Sequence, residues 1–294
     1  MARFGSLITA MVTPFDDRGR VDLEGAAALA SWLVDHGSDA LVLTGSTGEG
    51  SMLGDDEQVE VWRAVRAAVS VPLVAATGTN DTAHAVGLTA HAGPAGMDGV
   101  LLVTPYYNRP PQAGIEAHFR ALAAATDLPV LLYDIPIRSG RKISHEVLMR
   151  LAHDVDNVVG LKDAAANPAE TARVVAEAPA GFDVWAGDDT MTLPMMAVGA
   201  VGVISVAAHW AGPEMAEMIS AFQRGDVVKA RELLGLLLES FDFETGDLAP
   251  NPIPAKAMMR AIGQPAGQCR LPMGPAPEGL ETRALEIWNR LRNT

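Results

Sequence analysis

Short runs of β-branched and apolar residues, each closed by glycine, proline or polar positions, recur about every 25 to 30 residues, the length of one βα unit. They predict strands over Leu7–Val12, Ala40–Gly45, Pro72–Thr77, Gly99–Thr104, Pro129–Asp134, Val158–Lys162, Asp183–Gly187 and Val201–Val206. Between them the apolar positions shift to helical spacing, as in Leu23–His36, Glu57–Val69, Ala83–Ala92, Ala113–Thr126 and His145–Ala152. Asp22, Asp81 and Ser144 stand where side chains cap helix starts. Strand and helix in alternation imply a parallel sheet. Eight βα units favour closure into a (β/α)8 barrel, with an open doubly wound sheet as the alternative that counting leaves.

From about Arg224 the pattern changes. Val227–Leu238, Pro254–Ile262 and Gly279–Leu291 read as helices with no strand between them. The predicted fold is therefore α/β: a (β/α)8 TIM barrel in residues 1–224 and a small helical appendage in residues 225–294. No low-complexity linker separates the two, so they are expected to pack together.

A chain of 294 residues accommodates such a barrel, and 49% hydrophobic with 20% charged residues is ordinary for a globular protein. No apolar run reaches the roughly 18 residues of a membrane span. The formal charge of −14, with no cluster among the 22 basic residues, disfavours a nucleic-acid partner. Met1 to Gly5 lead into a strand without the longer apolar stretch of a secretory signal, and the single cysteine, Cys269, cannot form an internal disulfide. The expectation is a cytoplasmic protein with an inert thiol. The seven histidines show no metal-ligand spacing, so no metal is expected.

Catalytic groups of a barrel lie at the C-terminal strand ends and in the loops beyond. Lys162 ends the apolar segment Val158-Val159-Gly160-Leu161. Withdrawal from water favours the neutral amine that attacks a ketone; a lysine that snorkels or pairs with Asp163 is the plainer alternative. Gly45-Ser46-Thr47-Gly48-Glu49 offers two hydroxyls and several N–H groups on a tight turn, suited to a small carboxylate, or is a simple strand-to-helix turn. Tyr133, one of three tyrosines with Tyr106 and Tyr107, can pass protons or merely pack. Arg138 can grip a carboxylate or stay solvated. Asp188 and Asp189 read as helix caps, and Asn251-Pro252-Ile253-Pro254 as a rigid turn opening a tail helix.

Taken together, Thr9-Ala10-Met11-Val12-Thr13-Pro14-Phe15, the Gly45 to Glu49 turn, the Tyr133 segment, Gly160-Leu161-Lys162 and Asn251-Pro252-Ile253-Pro254-Ala255-Lys256 resemble the dihydrodipicolinate synthase and N-acetylneuraminate lyase family over nearly the whole chain. The resemblance implies a Schiff base between pyruvate and Lys162, with Tyr133 beside that nitrogen and the pyruvate carboxylate on the Ser46–Thr47 turn. It also implies substrate contacts from Gly187 and Ile204, and a proton relay of Ser46, Tyr133 and a neighbouring subunit's Tyr107. The assembly implied is a homotetramer, a dimer of dimers, and no organic cofactor is required. Thr104-Pro105-Tyr106-Tyr107-Asn108-Arg109-Pro110, Ile135-Pro136-Ile137-Arg138-Ser139-Gly140 and Gly187-Asp188-Asp189 resemble the synthase branch, in which Arg138 would bind the carboxylate of aspartate 4-semialdehyde. Ser46 stands where many synthases carry threonine and sialate lyases carry serine; serine keeps the hydroxyl. The alternatives are another pyruvate-dependent aldolase of the family and a non-catalytic barrel.

In lysine-sensitive synthases a glutamate after strand three meets the ligand's ammonium groups; His84 occupies that place here. Asn80 and Tyr106 still match the pocket, while Asp55 and Gln58 stand where histidines can occur. A histidine cannot supply the missing negative charge, so weak or absent lysine inhibition is expected.

Overall fold

A computed structural model describes residues 2–293. Strands β1 (Leu7–Ala10), β2 (Ala40–Leu43), β3 (Leu73–Ala76), β4 (Gly99–Val103), β5 (Val130–Asp134), β6 (Val158–Asp163), β7 (Asp183–Ala186) and β8 (Gly202–Ser205) are neighbours in sequence order and close into a barrel. The open-sheet alternative is thereby excluded. The described pairings, β1 with β2 and β3 through β8 in turn, are all parallel. Buried on both faces, the strands read as unbroken apolar runs such as Ala40-Leu41-Val42-Leu43.

All eight expected strands are present, most of them shorter than expected. Pro72 and Pro129 have no N–H for the ladder, so β3 and β5 begin one residue later. At the other end Val12, Gly45, Thr77, Thr104, Gly187 and Val206 lie beyond the strands, on the loops. Only β6 runs further than expected, to Asp163.

The helices are α1 (Leu23–Asp35), α2 (Asp55–Ala68), α3 (Thr82–Ala92), α4 (Gln112–Ala123), α5 (Pro136–Ser139), α6 (His145–Asp154), α7 (Pro168–Glu177), α8 (Thr192–Met196), α9 (Ala208–Gln223), α10 (Val227–Phe243), α11 (Ile253–Ala261) and α12 (Leu280–Arg292). Asp22, Asp81 and Ser144 cap α1, α3 and α6 through their side chains, as expected. Helix α2 starts before its expected position: Asp55, Asp56 and Glu57 complement the positive helix end, and the Glu57 carboxylate accepts from Gly54 N–H at 3.0 Å. In α9, Gly212 and Pro213 interrupt the apolar period, and the helix kinks at Ala211, where φ is −113° and ψ 19°. Among the described residues no helix is long and apolar enough to cross a membrane.

Two compact units make up the chain: Pro72–Ile204 with the segment ending at Ser6, and Leu7–Val71 with the chain from Ser205 onward. In the first, Trp185, fully buried, donates its indole N–H to Gly5 carbonyl at 2.9 Å, fastening the N-terminal segment to β7. In the second, α9 packs on β1 and α10, and α11 on α12.

Candidate active site

The central pair arises from a slip in strand register. Strands β5 and β6 align Val130 with Val158, then Leu131 with Gly160, so Val159 is passed over. Everything after the slip is offset by one residue, and Tyr133 comes opposite Lys162 instead of Leu161. Gly160 suits this crowded place, because a Cβ there would lie 2.6 Å from Asp183 carbonyl. Lys162, 6% exposed, sets its Nζ 4.4 Å from the Tyr133 ring centroid. Burial pushes the Tyr133 phenol up to about 12, with the positive charge of Arg138 opposing the shift.

Strand alternation turns the next register pair, Asp134 and Asp163, to the opposite face. Asp163 accepts from Thr171 Oγ1 at 2.7 Å and from Ala165 N–H at 3.0 Å, so its bonds lead to the loop and helix behind β6. Asp134 accepts from Ile143 N–H at 3.2 Å and pairs with Lys142 at 3.1 Å, tying down the segment that follows α5. Burial raises the Asp134 carboxyl to about 6, against the lowering pull of Lys142.

Arg138 lies on α5, opened by Pro136 and closed by Gly140 at φ 69°. Its side chain is exposed, while Ser139 beside it is buried and donates to Ile135 and Arg141 carbonyls. Gly187 donates its N–H to Asp163 carbonyl at 2.7 Å, and a Cβ there would meet Lys162 Cγ at 3.1 Å and Ala164 Cβ at 2.8 Å. Any side chain would crowd the lysine. Ile204, in β8, is 1% exposed. Tyr107 is 89% exposed and adopts a left-handed φ of 69°, strained for an aromatic residue. Asp188 caps the short helical turn Asp189–Met191 by accepting from Thr190 N–H, as expected; Asp189 is buried inside that turn.

The Ser46–Thr47 turn belongs to the other compact unit. Thr44 (φ 53°) and Glu49 (φ 56°) bend the backbone through left-handed conformations on either side of it. At Gly50 a Cβ would sit 1.9 Å from Thr44 carbonyl, so only glycine closes the turn. Ser46 is exposed; Thr47 is buried and accepts from Asn251 Nδ2 at 2.9 Å. Trp62 donates to Thr44 Oγ1 at 2.9 Å, and Thr13 to Gly48 carbonyl at 2.6 Å. Beneath the turn Glu49 and Lys256, both fully buried, pair at 2.6 Å, with Lys256 Nζ 3.8 Å from the Phe15 ring centroid. Cys269 borders this cluster, and burial raises its thiol to about 12, the inert behaviour expected.

The structure thus brings Lys162, Tyr133 and Gly187 together, with Arg138 within electrostatic reach of Tyr133. Sequence reasoning missed the supports of the Ser46–Thr47 turn. Asn251 belongs to a motif of the resemblance and to the turn before α11, with no role of its own expected, and its side chain reaches Thr47, 204 positions away in sequence. A glutamate and a lysine of opposite charge in two motifs of the resemblance, Glu49 and Lys256, were the available sign of a buried pair. Among the described residues no group of three His, Cys, Asp or Glu could hold a metal ion.

A closed (β/α)8 barrel with polar side chains gathered at C-terminal strand ends falls in the class of barrel enzymes. Within that class the chain belongs to the dihydrodipicolinate synthetase family, whose model matches residues 3–287. It is similar to the 4-hydroxy-tetrahydrodipicolinate synthase of Moorella thermoacetica, at 45% identity over 277 residues and 92% of each chain. It is also similar to the enzyme of the same name from Bacillus subtilis, at 41% identity over 94% of this chain and 95% of that one. Among solved structures, DHDPS from Cyanidioschyzon merolae with lysine bound superposes with a TM-score of 0.96 at 39% identity, covering 100% of both chains.

Proposed function

We propose that this chain is a lyase that condenses pyruvate with aspartate 4-semialdehyde, through an imine on Lys162, to give 4-hydroxy-tetrahydrodipicolinate for diaminopimelate and lysine synthesis. The observation that carries the reading is the buried amine of Lys162 against Tyr133, in a chain of this family. The Lys162 amine attacks C2 of pyruvate and water leaves. The imine then loses a proton from C3, and the resulting enamine carbon adds to the aldehyde. The amino group of the added unit attacks C2, closes the ring and releases Lys162.

A phenol with its pKa near 12 keeps its proton at neutral pH, so Tyr133 serves as donor to the departing water and, through Ser46 and Tyr107, as part of a proton relay. Thr47 with the turn's N–H groups holds the pyruvate carboxylate. Gly187 and Ile204 line the substrate, and Arg138 receives the carboxylate of the aldehyde. Tyr107, exposed on a strained backbone, is supplied to a neighbouring subunit in a tetramer built from two dimers. Residues 1–224 form the catalytic barrel domain and 225–294 a helical domain, in a cytoplasmic protein. Lysine is a weak regulator at most, because His84 replaces the acidic partner of its ammonium groups.

The experiment that tests substrate choice compares steady-state rates with aspartate 4-semialdehyde for the unaltered chain and Arg138→Ala. A lost charge-assisted contact of about 1.5 to 3 kcal/mol lowers kcat/KM for the aldehyde by about one to two orders of magnitude, while imine formation with pyruvate persists. Unchanged kinetics with this aldehyde would remove Arg138 from the role.

A further inference from the structure

Asn251 stands just before α11, where its side chain would ordinarily serve the start of its own helix. The residue capping α11 is instead Pro252, and the Asn251 amide donates from Nδ2 to Thr47 Oγ1 at 2.9 Å. Both residues are buried, at 7% and 5% exposure. A threonine hydroxyl has one hydrogen to give and two lone pairs to receive. With the amide hydrogen on one lone pair, the hydroxyl hydrogen is left for another acceptor, and a carboxylate is acceptor-only.

The backbone of the turn is held by other means. Thr13 bonds Gly48 carbonyl, and Glu49 is fixed by Lys256 and by Arg270 N–H at 2.8 Å. To these Asn251 adds a bond to the hydroxyl of Thr47 itself.

We infer that Asn251 is a positioning residue that acts through Thr47, setting its hydroxyl as a donor to the substrate carboxylate. The inference rests on the reading of the Ser46–Thr47 turn as the pyruvate carboxylate site. Asn251→Ala frees the hydroxyl to rotate. Asn251→Asp keeps the volume but turns the donor into an acceptor, which draws the Thr47 hydrogen away from substrate.

The test is a double-mutant cycle of Asn251 variants with Thr47→Val, read as KM for pyruvate and kcat separately. Asn251→Ala is expected to raise KM about ten-fold, the size of one hydrogen bond to a charged group, with kcat changed less than about two-fold. Asn251→Asp is expected to raise KM further, and carries the comparison if the alanine variant does not fold. In the Thr47→Val background neither substitution should change KM by more than about two-fold. An unchanged KM, an equal rise in both backgrounds, or a parallel loss of kcat and thermal stability in both would overturn the inference, the last two marking a merely structural role. Failure of the reading beneath it shows separately: Thr47→Val alone would then leave KM for pyruvate unchanged.

Discussion

Tyr133 and Lys162 face one another across neighbouring parallel strands, with the lysine nitrogen 4.4 Å from the centre of the phenol ring. The geometry follows from Val159, the residue the register skips; without that slip Leu161 would stand opposite the tyrosine. Burial raises the phenol to about 12, so the group next to the amine is a neutral proton donor throughout the physiological range. Tyr133→Phe keeps the packing and removes the proton. Its kcat should fall by roughly two orders of magnitude or more, with slower imine formation in single-turnover mixing. A variant within a few-fold of the parent would reduce Tyr133 to a packing residue.

On the opposite face of the same strands, Asp134 gives the protein a pH dependence of defined sign. Its carboxyl titrates at about 6 in the folded chain against 3.8 unexposed to the fold, so the native state holds the proton more tightly. Stability from this group is therefore greatest below about pH 4 and is lost as pH rises through 6, by about 3 kcal/mol in all. Asp134→Asn retains an acceptor for Ile143 N–H and cannot ionise. Denaturant unfolding from pH 4 to 7 should show the variant gaining stability relative to its parent as pH rises. Parallel curves would contradict this.

Much of this arrangement was legible in the sequence because it is local. Apolar runs bounded by proline and glycine gave the order of strands, and Lys162 stood out as a lysine ending one of them. Closure decided between barrel and open sheet, and closure depends on pairings no single segment contains. The slip at Val159 was invisible for the same reason: it belongs to the fit of β6 on β5. Helix α9 escaped because Gly212 and Pro213 break its period, and Asn251 because its partner is remote in sequence.

The expectation for lysine is also a matter of charge. His84 is exposed on the first turn of α3, its N–H drawn to the capping carboxylate of Asp81, and it brings no negative charge to an ammonium group. Activity titrated with lysine at saturating pyruvate should show weak inhibition or none. Half-inhibition below about 1 mM, a binding free energy near −4 kcal/mol, would show a working regulatory site.

The covalent role of Lys162 is tested most directly by borohydride reduction in the presence of pyruvate, followed by mass mapping of the digested chain. One reduced three-carbon adduct on Lys162, absent from a Lys162→Arg variant, is the expected result. An adduct on any other lysine, or none from a protein that turns over its substrates, would contradict it.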